Sequence, residues 1–426
     1  MPDGTSTAHL MRPKLATVLG EGYDFHDFRK DALAALTVAI VALPLSMAIA
    51  IGSGVSPERG LYAAIIGGAI VSALGGSRVQ IGGPAGAFIV LVAATVAKFG
   101  VEGLLVTVML SGVLLALIGA LRLGTLIRHI PHAVTVGFTA GIAITILASQ
   151  LKDLSGITLH GPEPGPLIPK IAALAAASPS VNPVALAIGC GTAAIIFLLK
   201  WLRPAWPAML LAVAGASVVA ALLHLPVDTI GSRFGELPHG LAMPVVPGIS
   251  LQRVLELMPA ALSFTLLGGI ESLLSAKVAD GMTGRKHRSN MELVAQGIAN
   301  VASAAFGGIC VTGTIARTAT NIRAGARSPL SGIMHSAFLL AFLVFAAPLA
   351  SFIPLCALAG LLAAVCWSMV EKREFARLLF DWRDAAVLLA TFVLTLVENL
   401  TVGIIAGCLA AAVFAVLGRA VAEEGD

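Results

Sequence analysis

Apolar residues come in runs near the ~20-residue length that carries a helix across a bilayer, divided by short polar stretches. The runs fall near 32–51, 60–75, 101–121, 131–150, 184–202 and 206–224, with a half-length stretch at 84–97. A polar, proline-rich loop over 225–250 follows. Further runs lie near 254–276, 290–306, 328–350, 354–370, 383–398 and 400–418, with a second half-length stretch at 313–323. The pattern predicts an all-α integral membrane protein of 14 transmembrane segments, seven per half, with half-helices at segments 3 and 10.

The halves echo each other. Gly75-Gly76-x-x-Val79 precedes the first short stretch and Gly307-Gly308-x-x-Val311 the second. Ile130-Pro131-x-x-Val134-x-x-Gly137 returns as Ile353-Pro354-x-x-Ala357-x-x-Gly360. The offsets, 232 and 223 residues, nearly agree. An odd number of spans per half makes the second half insert upside down. Short, Gly/Pro-interrupted segments at matching positions of inverted repeats are the sequence mark of a transporter site. The expected division is an N-terminal cytoplasmic segment over 1–30, a first repeat over 31–224, an extracytoplasmic loop over 225–250, an inverted second repeat over 251–418 and a cytoplasmic tail over 419–426.

Composition agrees with this reading. Of 426 residues 58% are hydrophobic and 12% charged, with a mean hydropathy of +0.94; soluble proteins hold about 25% charged residues. No secretory leader is expected, because the N-terminus is polar, with Arg12, Lys14, Arg29 and Lys30 ahead of the first span. With the N-terminus inside, twenty Lys and Arg fall in inside loops and six in outside loops. That bias predicts both termini in the cytoplasm. The five cysteines, Cys190, Cys310, Cys356, Cys366 and Cys408, lie in or beside apolar runs without paired spacing, so neither a disulfide framework nor a metal site is expected. Nucleic-acid binding has no support. The chain also lacks H-E-x-x-H, G-x-S-G and G-x-G-D motifs, which argues against an intramembrane enzyme.

The candidate chemistry sits in the half-length stretches. From Gly307 the chain reads as an extended segment to Val311, then a short helix starting within Thr312, Gly313 and Thr314 and continuing through Ile315, Ala316 and Arg317. A helix start at membrane depth leaves N–H groups unsatisfied and is tolerated only inside protein or along a cavity. Those donors, with the positive helix end, suit an anion. Arg317 adds a charge that costs at least ~2.5 kcal/mol to insert, and Thr312, Thr314 and Thr318 offer hydroxyl donors nearby. The first half-helix reads Gly82-Gly83-Pro84-Ala85-Gly86-Ala87-Phe88. Proline costs nothing in a first helical turn, and the glycines let a ligand approach the backbone. Pro84, Ala85 and Gly86 therefore face the second half-helix as further substrate contacts. Pro44 kinks the first span and, with Leu45, lines the opposite wall.

Glu271, in the eighth span with Ser275 one turn on, is the candidate coupling residue. It takes up a proton, or holds sodium with Ser275 and backbone oxygens; a static ion pair with Arg317 is the third reading. Gly137-x-x-x-Gly141 and Gly403-x-x-x-Gly407 read as helix-packing signals. Glu398-Asn399 reads as a helix-end pair, and Arg285-Lys286-His287-Arg288 as a solvated inside loop at acidic headgroups.

The chain resembles the SulP, or solute carrier family 26, anion transporters over nearly all of 31–418. The resemblance rests on Asp31 through Ala50 with Pro44, Gly60-Leu61-Tyr62, Gly75-Gly76-Ser77-Arg78, Gly83-Pro84, and above all the run from Gly269 to Gly332. That run includes Ala279-Asp280-Gly281-Met282-Thr283-Gly284-x-Lys286-His287 and Ile315-Ala316-Arg317-x-Ala319-x-Asn321. The resemblance implies core and gate domains, with segments 1–4 and 8–11 in the core, and elevator-like alternating access. It places Arg317 and Thr314 in the anion pocket, and Glu271 and Ser275 where members bind sodium or keep a coupling acid. No cofactor is implied beyond the coupling proton or sodium, and the expected partners are a small anion, the lipid bilayer and a second copy in a homodimer. Leu45 stands where many sulfate and chloride members carry glutamine, and the Gly269–Gly332 run is most similar to the bacterial C4-dicarboxylate branch. The expectation is therefore proton-coupled symport of fumarate, succinate or aspartate at a bacterial inner membrane, with sulfate or sodium-coupled bicarbonate transport as the alternative and a passive channel or uncoupled exchanger as the rival class. Members usually carry a STAS domain after the last span; with the sequence ending at Asp426, the expectation is that such a domain is either removed or naturally absent.

Overall fold

The structure is a computed structural model that describes residues 11–124, 131–159, 161, 164, 167–204, 206–245, 247–248, 250–398 and 400–423. Ile130 of the first Ile-Pro motif, Arg128 and Asn399 lie outside the described residues.

Each predicted apolar run is met by helix. After a short helix α1 (Lys14–Glu21), α2 runs Phe25–Gly52, its start capped by Asp24, which accepts from Asp27 N at 2.8 Å. The second run is α3 (Pro57–Tyr62) and α4 (Gly68–Leu74), joined by a π-helical turn over Ala63–Gly67. Strand β1 (Gly82–Gly83) and a 3-10 turn (Gly86–Phe88) lead into α5 (Ile89–Ala120). The divide expected between 97 and 101 falls on Gly100, whose φ of 71° is the left-handed region open to glycine. Next come α6 (His132–Ser155), α7 (Leu167–Ala176), α8 (Pro183–Leu202), α9 (Ala208–Leu222) and α10 (Ile230–Phe234). The second half holds α11 (Leu251–Thr283), α12 (Ser289–Ala305), β2 (Thr312–Gly313), α13 (Ile315–Arg323), α14 (Leu330–Phe345), α15 (Ala347–Ala350), α16 (Leu355–Met369), α17 (Lys372–Leu378), α18 (Trp382–Val397) and α19 (Leu400–Glu423). Six stretches are long and apolar enough to cross a membrane alone among the described residues; the others are shorter or broken. The runs at 313–323 and 328–350 are a short helix and a helix pair, and the 225–250 loop contains α10, whose Thr229 cap no apolar pattern signals.

The helices pack in two groups. In one, α5 lies along α11 and α12, and α14 along α2 and α4. Small residues set the closest seam: a Cβ on Gly297 would meet Gly112 O at 2.5 Å, and one on Gly119 would meet Asn290 O at 2.6 Å. In the other, α16 packs on α6 and α8, and α18 on α6 and α19. Gly137 and Gly141 of α6 and Gly403 and Gly407 of α19 all press on α18, with Cβ positions 2.0–2.8 Å from Leu388, Thr391 or Thr395 atoms. Those motifs are packing seams inside one group. Glu398 follows α18 at its end, as expected.

The two Gly-Gly turns are braced reciprocally. Gly76 O accepts from Arg288 N (2.9 Å) at the start of α12. Gly307 O accepts from Arg59 Nη1 (2.7 Å), and Ile309 N donates to Arg59 O (3.3 Å), at the start of α3. Each half's turn leans on the second span of the other half. One loop corrects the sequence reading: His287 and Arg288 are 8% and 7% exposed rather than solvated. His287 Nδ1 lies 2.6 Å from Asp280 Oδ2, because the chain folds back on α11 there.

Candidate functional site

The site forms where the two short helices begin. β1 and β2 pair antiparallel, Gly82 opposite Gly313 and Gly83 opposite Thr312. This two-residue ladder ties the extended leads of both half-helices and satisfies backbone groups that have no water to bond. Polar side chains hold the rest. Asn300 brackets Val311, accepting from its N–H (2.9 Å) and donating to its carbonyl (2.8 Å). Asn321 Nδ2 donates to Val79 O at 2.9 Å, and Thr318 Oγ1 accepts from Ile81 N at 3.1 Å. Gln80 Nε2 donates to Ser272 O at 3.2 Å. The sequence reading missed Gln80, Asn300 and Asn321 as supports, and gave Thr318 a hydroxyl toward the anion where it braces Ile81 instead. The signal of the three was there, as amides inside apolar or glycine-rich runs.

Neither helix start is capped by a side chain. Ala85 has no side-chain donor or acceptor to offer. Thr314, the N-cap of α13, turns its Oγ1 to Ile81 O (3.1 Å) instead of to its own first turn. The opening N–H groups of α13 therefore stay free, as helix geometry leaves them without a capping partner. Ile315 is 40% exposed and Ala316 also exposed, so this end of α13 is not covered by packing. Gly86 is half-buried, and a Cβ there would sit 3.8 Å from Ile146 and Met369 side-chain atoms of the other helix group. The start of the first half-helix thus lies at the seam between the groups.

Arg317 stands behind this seat, 1% exposed. Its Nη2 donates to Ser46 Oγ (3.0 Å) and Pro84 O (3.3 Å), while Nε and Nη1 have no protein partner. Gly83 makes room for it: a Cβ there would lie 2.4 Å from Nη1. Pro44 and Leu45, expected on the wall opposite the half-helices, are buried within α2, and their neighbour Ser46 is the α2 residue that bonds Arg317. Thr312 Oγ1 donates to Gly268 O at 3.3 Å and is fully buried, which makes it a tie to α11. Gly313 is filled from above by the Gln80 side chain.

Glu271 lies on the same α11 face as Gly268 and Ser275. Its Oε2 is buried without a hydrogen-bond partner, and no ion pair joins it to Arg317 among the described residues. The static-pair reading is set aside on this geometry. Ser275 Oγ donates to Thr318 Oγ1 at 3.3 Å, so α11 and α13 are held together one turn beyond the carboxylate.

Two uncapped helix starts tied by β1 and β2 beside a buried arginine make an arrangement whose chemistry suits an anion. The sulfate permease family's sequence profile matches residues 28–391, and the chain belongs to that family. It is 42% identical to YvdB of Bacillus subtilis (strain 168), which bears a sulfate-transporter name, over 92% of this chain and 74% of that one. It is 31% identical to the bicarbonate transporter BicA of Picosynechococcus sp. over 92% and 71%. Its fold is similar to the transmembrane domain of a cyanobacterial BicA, with a TM-score of 0.79 at 30% identity, covering 91% of this chain and 98% of that one. Murine Slc26a9, an anion transporter in the inward-facing state, matches at 0.87 over 96% and 71%; at 18% identity this is likeness of fold alone. Membership of the sulfate permease family makes the chain an anion transporter, not an enzyme. The expected dicarboxylate branch finds no support in them, since these relatives are named for sulfate and bicarbonate.

Proposed function

We propose that the chain moves a small oxyanion of the sulfate and bicarbonate class by secondary active transport, with Glu271 as the coupling residue. The observation that carries this reading is the pair of uncapped half-helix starts joined by β1 and β2, with Arg317 behind them. Their N–H groups bind the anion, and the guanidinium supplies charge from behind Gly83 and Pro84. Ile315, Ala316, Ala85 and Gly86 form the rim, with Thr314 and Leu45 beside it. The unpaired Glu271 takes a proton or, with Ser275, a sodium ion; either neutralises a carboxylate that otherwise repels the anion. The names of the relatives favour sulfate or bicarbonate over a C4-dicarboxylate.

In this reading the α2–α5 and α11–α14 group is the core that rises and falls against the gate of α6, α8, α9, α16, α18 and α19. The anion seat rides on the core at the seam. Both termini face the cytoplasm of a bacterial inner membrane, as the charge bias requires, and two copies associate through their gates.

The test is uptake of labelled sulfate, bicarbonate and fumarate into proteoliposomes under an inward proton gradient, an inward sodium gradient or neither. Gradient-stimulated uptake of sulfate or bicarbonate is the expected result. Stimulated fumarate uptake alone restores the dicarboxylate assignment, and flux indifferent to both gradients removes the coupling role.

A further inference from the structure

At the N-terminal end of the bundle, two cationic residues lie largely buried with no ion pair among the described residues. Helix α1 docks there through Lys14 N, which donates to Gly75 O at 2.9 Å. Lys14 is 9% exposed, and its ammonium makes no hydrogen bond or ion pair with any described residue. Arg288, 7% exposed, gives Nη1 to two neutral acceptors, Arg12 O (2.7 Å) and Thr17 Oγ1 (3.0 Å). Its Nε is buried without a partner. The nearby carboxylates are engaged elsewhere. Glu21 pairs with Arg78 at 2.5 Å, and Asp280 with His287 at 2.6 Å. Burying one charge is unfavourable unless it is paired. Here Arg288 reaches the residues on either side of Lys14, Arg12 and Thr17, and its charge acts on the Lys14 ammonium. Nothing in the transport site explains them.

We propose that Lys14 and Arg288 form a second anion site, separate from the Arg317 seat, that takes a phosphate group. A guanidinium offers planar, directed donors and an ammonium three more, the pairing that phosphate oxygens favour. The place suits a phosphate at a membrane surface. Helix α1 exposes Leu19, and Met11, Phe25 and Phe28 beside it are exposed as well, an apolar rim suited to the headgroup boundary. The shared chemistry is that of an anionic-lipid phosphodiester and of free phosphate.

The charge state of Lys14 follows. Burial, then the charges of Arg288 and Arg78, bring its ammonium down to about 8, with Asp280 and Glu21 opposing. A bound anion favours the protonated form. Binding is therefore strongest below pH about 8 and declines above it.

The experiment measures thermal unfolding by tryptophan fluorescence of protein in phosphatidylcholine nanodiscs. One arm titrates inorganic phosphate; the other mixes phosphatidylglycerol into the bilayer. The expected result is stabilisation in at least one arm, kept by Arg317→Ala and weakened at least about tenfold by Lys14→Met. Response to phosphatidylglycerol alone assigns the lipid headgroup, and response to phosphate assigns the soluble ion. Lys14→Met retains the aliphatic stem and the backbone bond to Gly75, so without anion it unfolds at the wild-type temperature or above. Equal responses of wild type and Lys14→Met, whether both rise or neither does, overturn the proposal. So does an anion-free Lys14→Met that is less stable than wild type.

Discussion

Arg317 and Ser46 meet at 3.0 Å, a permanent charge satisfied by a hydroxyl rather than by a carboxylate. An ion pair would cancel the field at the helix starts; a hydroxyl and the Pro84 carbonyl hold the guanidinium in place and leave its charge uncancelled. That distinction decides what the arginine can do for an anion a few ångströms away.

Replacing Arg317 by alanine is therefore expected to weaken sulfate or bicarbonate binding by about 10- to 100-fold, the scale of about 1.5–3 kcal/mol for hydrogen bonds to a charged group. The fold survives, because the lost packing is offset by removal of an incompletely paired buried charge. Isothermal titration and thermal unfolding on one preparation check both halves. Normal affinity in the variant would mean that the anion sits elsewhere.

Glu271→Gln keeps shape and hydrogen-bonding atoms but cannot bind a proton or attract sodium. Uptake in this variant is expected to be the same with and without an ion gradient. Since Glu271 Oε2 has no partner to lose, the melting temperature stays near that of wild type. Gradient-stimulated uptake that persists in the variant assigns coupling to another group.

The glycines of the first half-helix predict unequal outcomes a few residues apart. At Gly83 a methyl group would lie 2.4 Å from Arg317 Nη1, so Gly83→Ala displaces the guanidinium. Transport is expected to fall about tenfold or more, a loss of about 1.4 kcal/mol at the seat. At Gly86 the nearest protein atoms are 3.8 Å away, ordinary contact distance, so Gly86→Ala leaves Arg317 in place and any loss of transport at this rim position is expected to be smaller than at Gly83. Equal effects at the two positions would contradict the placement of Arg317 behind Gly83.

Much of this was legible along the chain, for physical reasons. A bilayer imposes run length and hydropathy, so the helices could be located from the apolar pattern, and the gap between the runs ending at 97 and starting at 101 holds the Gly100 break. Arg317 and Glu271 stood out because charge in an apolar run is costly. What was not legible depends on partners distant in sequence. Gly82 meets Gly313, Asn300 brackets Val311, and Ser46 reaches Arg317, each set by tertiary packing that a one-dimensional pattern does not encode. His287 and Arg288 mislead for the same reason. In sequence they are part of a basic loop; in the fold α1 and the end of α11 close over them.

Lys14 gives stability a pH dependence with a definite sign. Its folded value is about 8, below the ordinary lysine value of 10.5. Between the two the unfolded chain holds the proton and the folded chain does not, so the unfolded state binds more protons and stability rises with pH. Below pH about 8 both states are protonated and the burial penalty is present in full; as pH climbs through 8 toward 10.5 the penalty is relieved. Anion-free protein is thus expected to gain stability from Lys14 across that window, and Lys14→Met to lose that part of the gain. Unfolding temperatures of both proteins from pH 7 to 10, in nanodiscs without anionic lipid or phosphate, separate this contribution from the other titrating groups. Parallel profiles for the two proteins would show that Lys14 is already paired in the folded state.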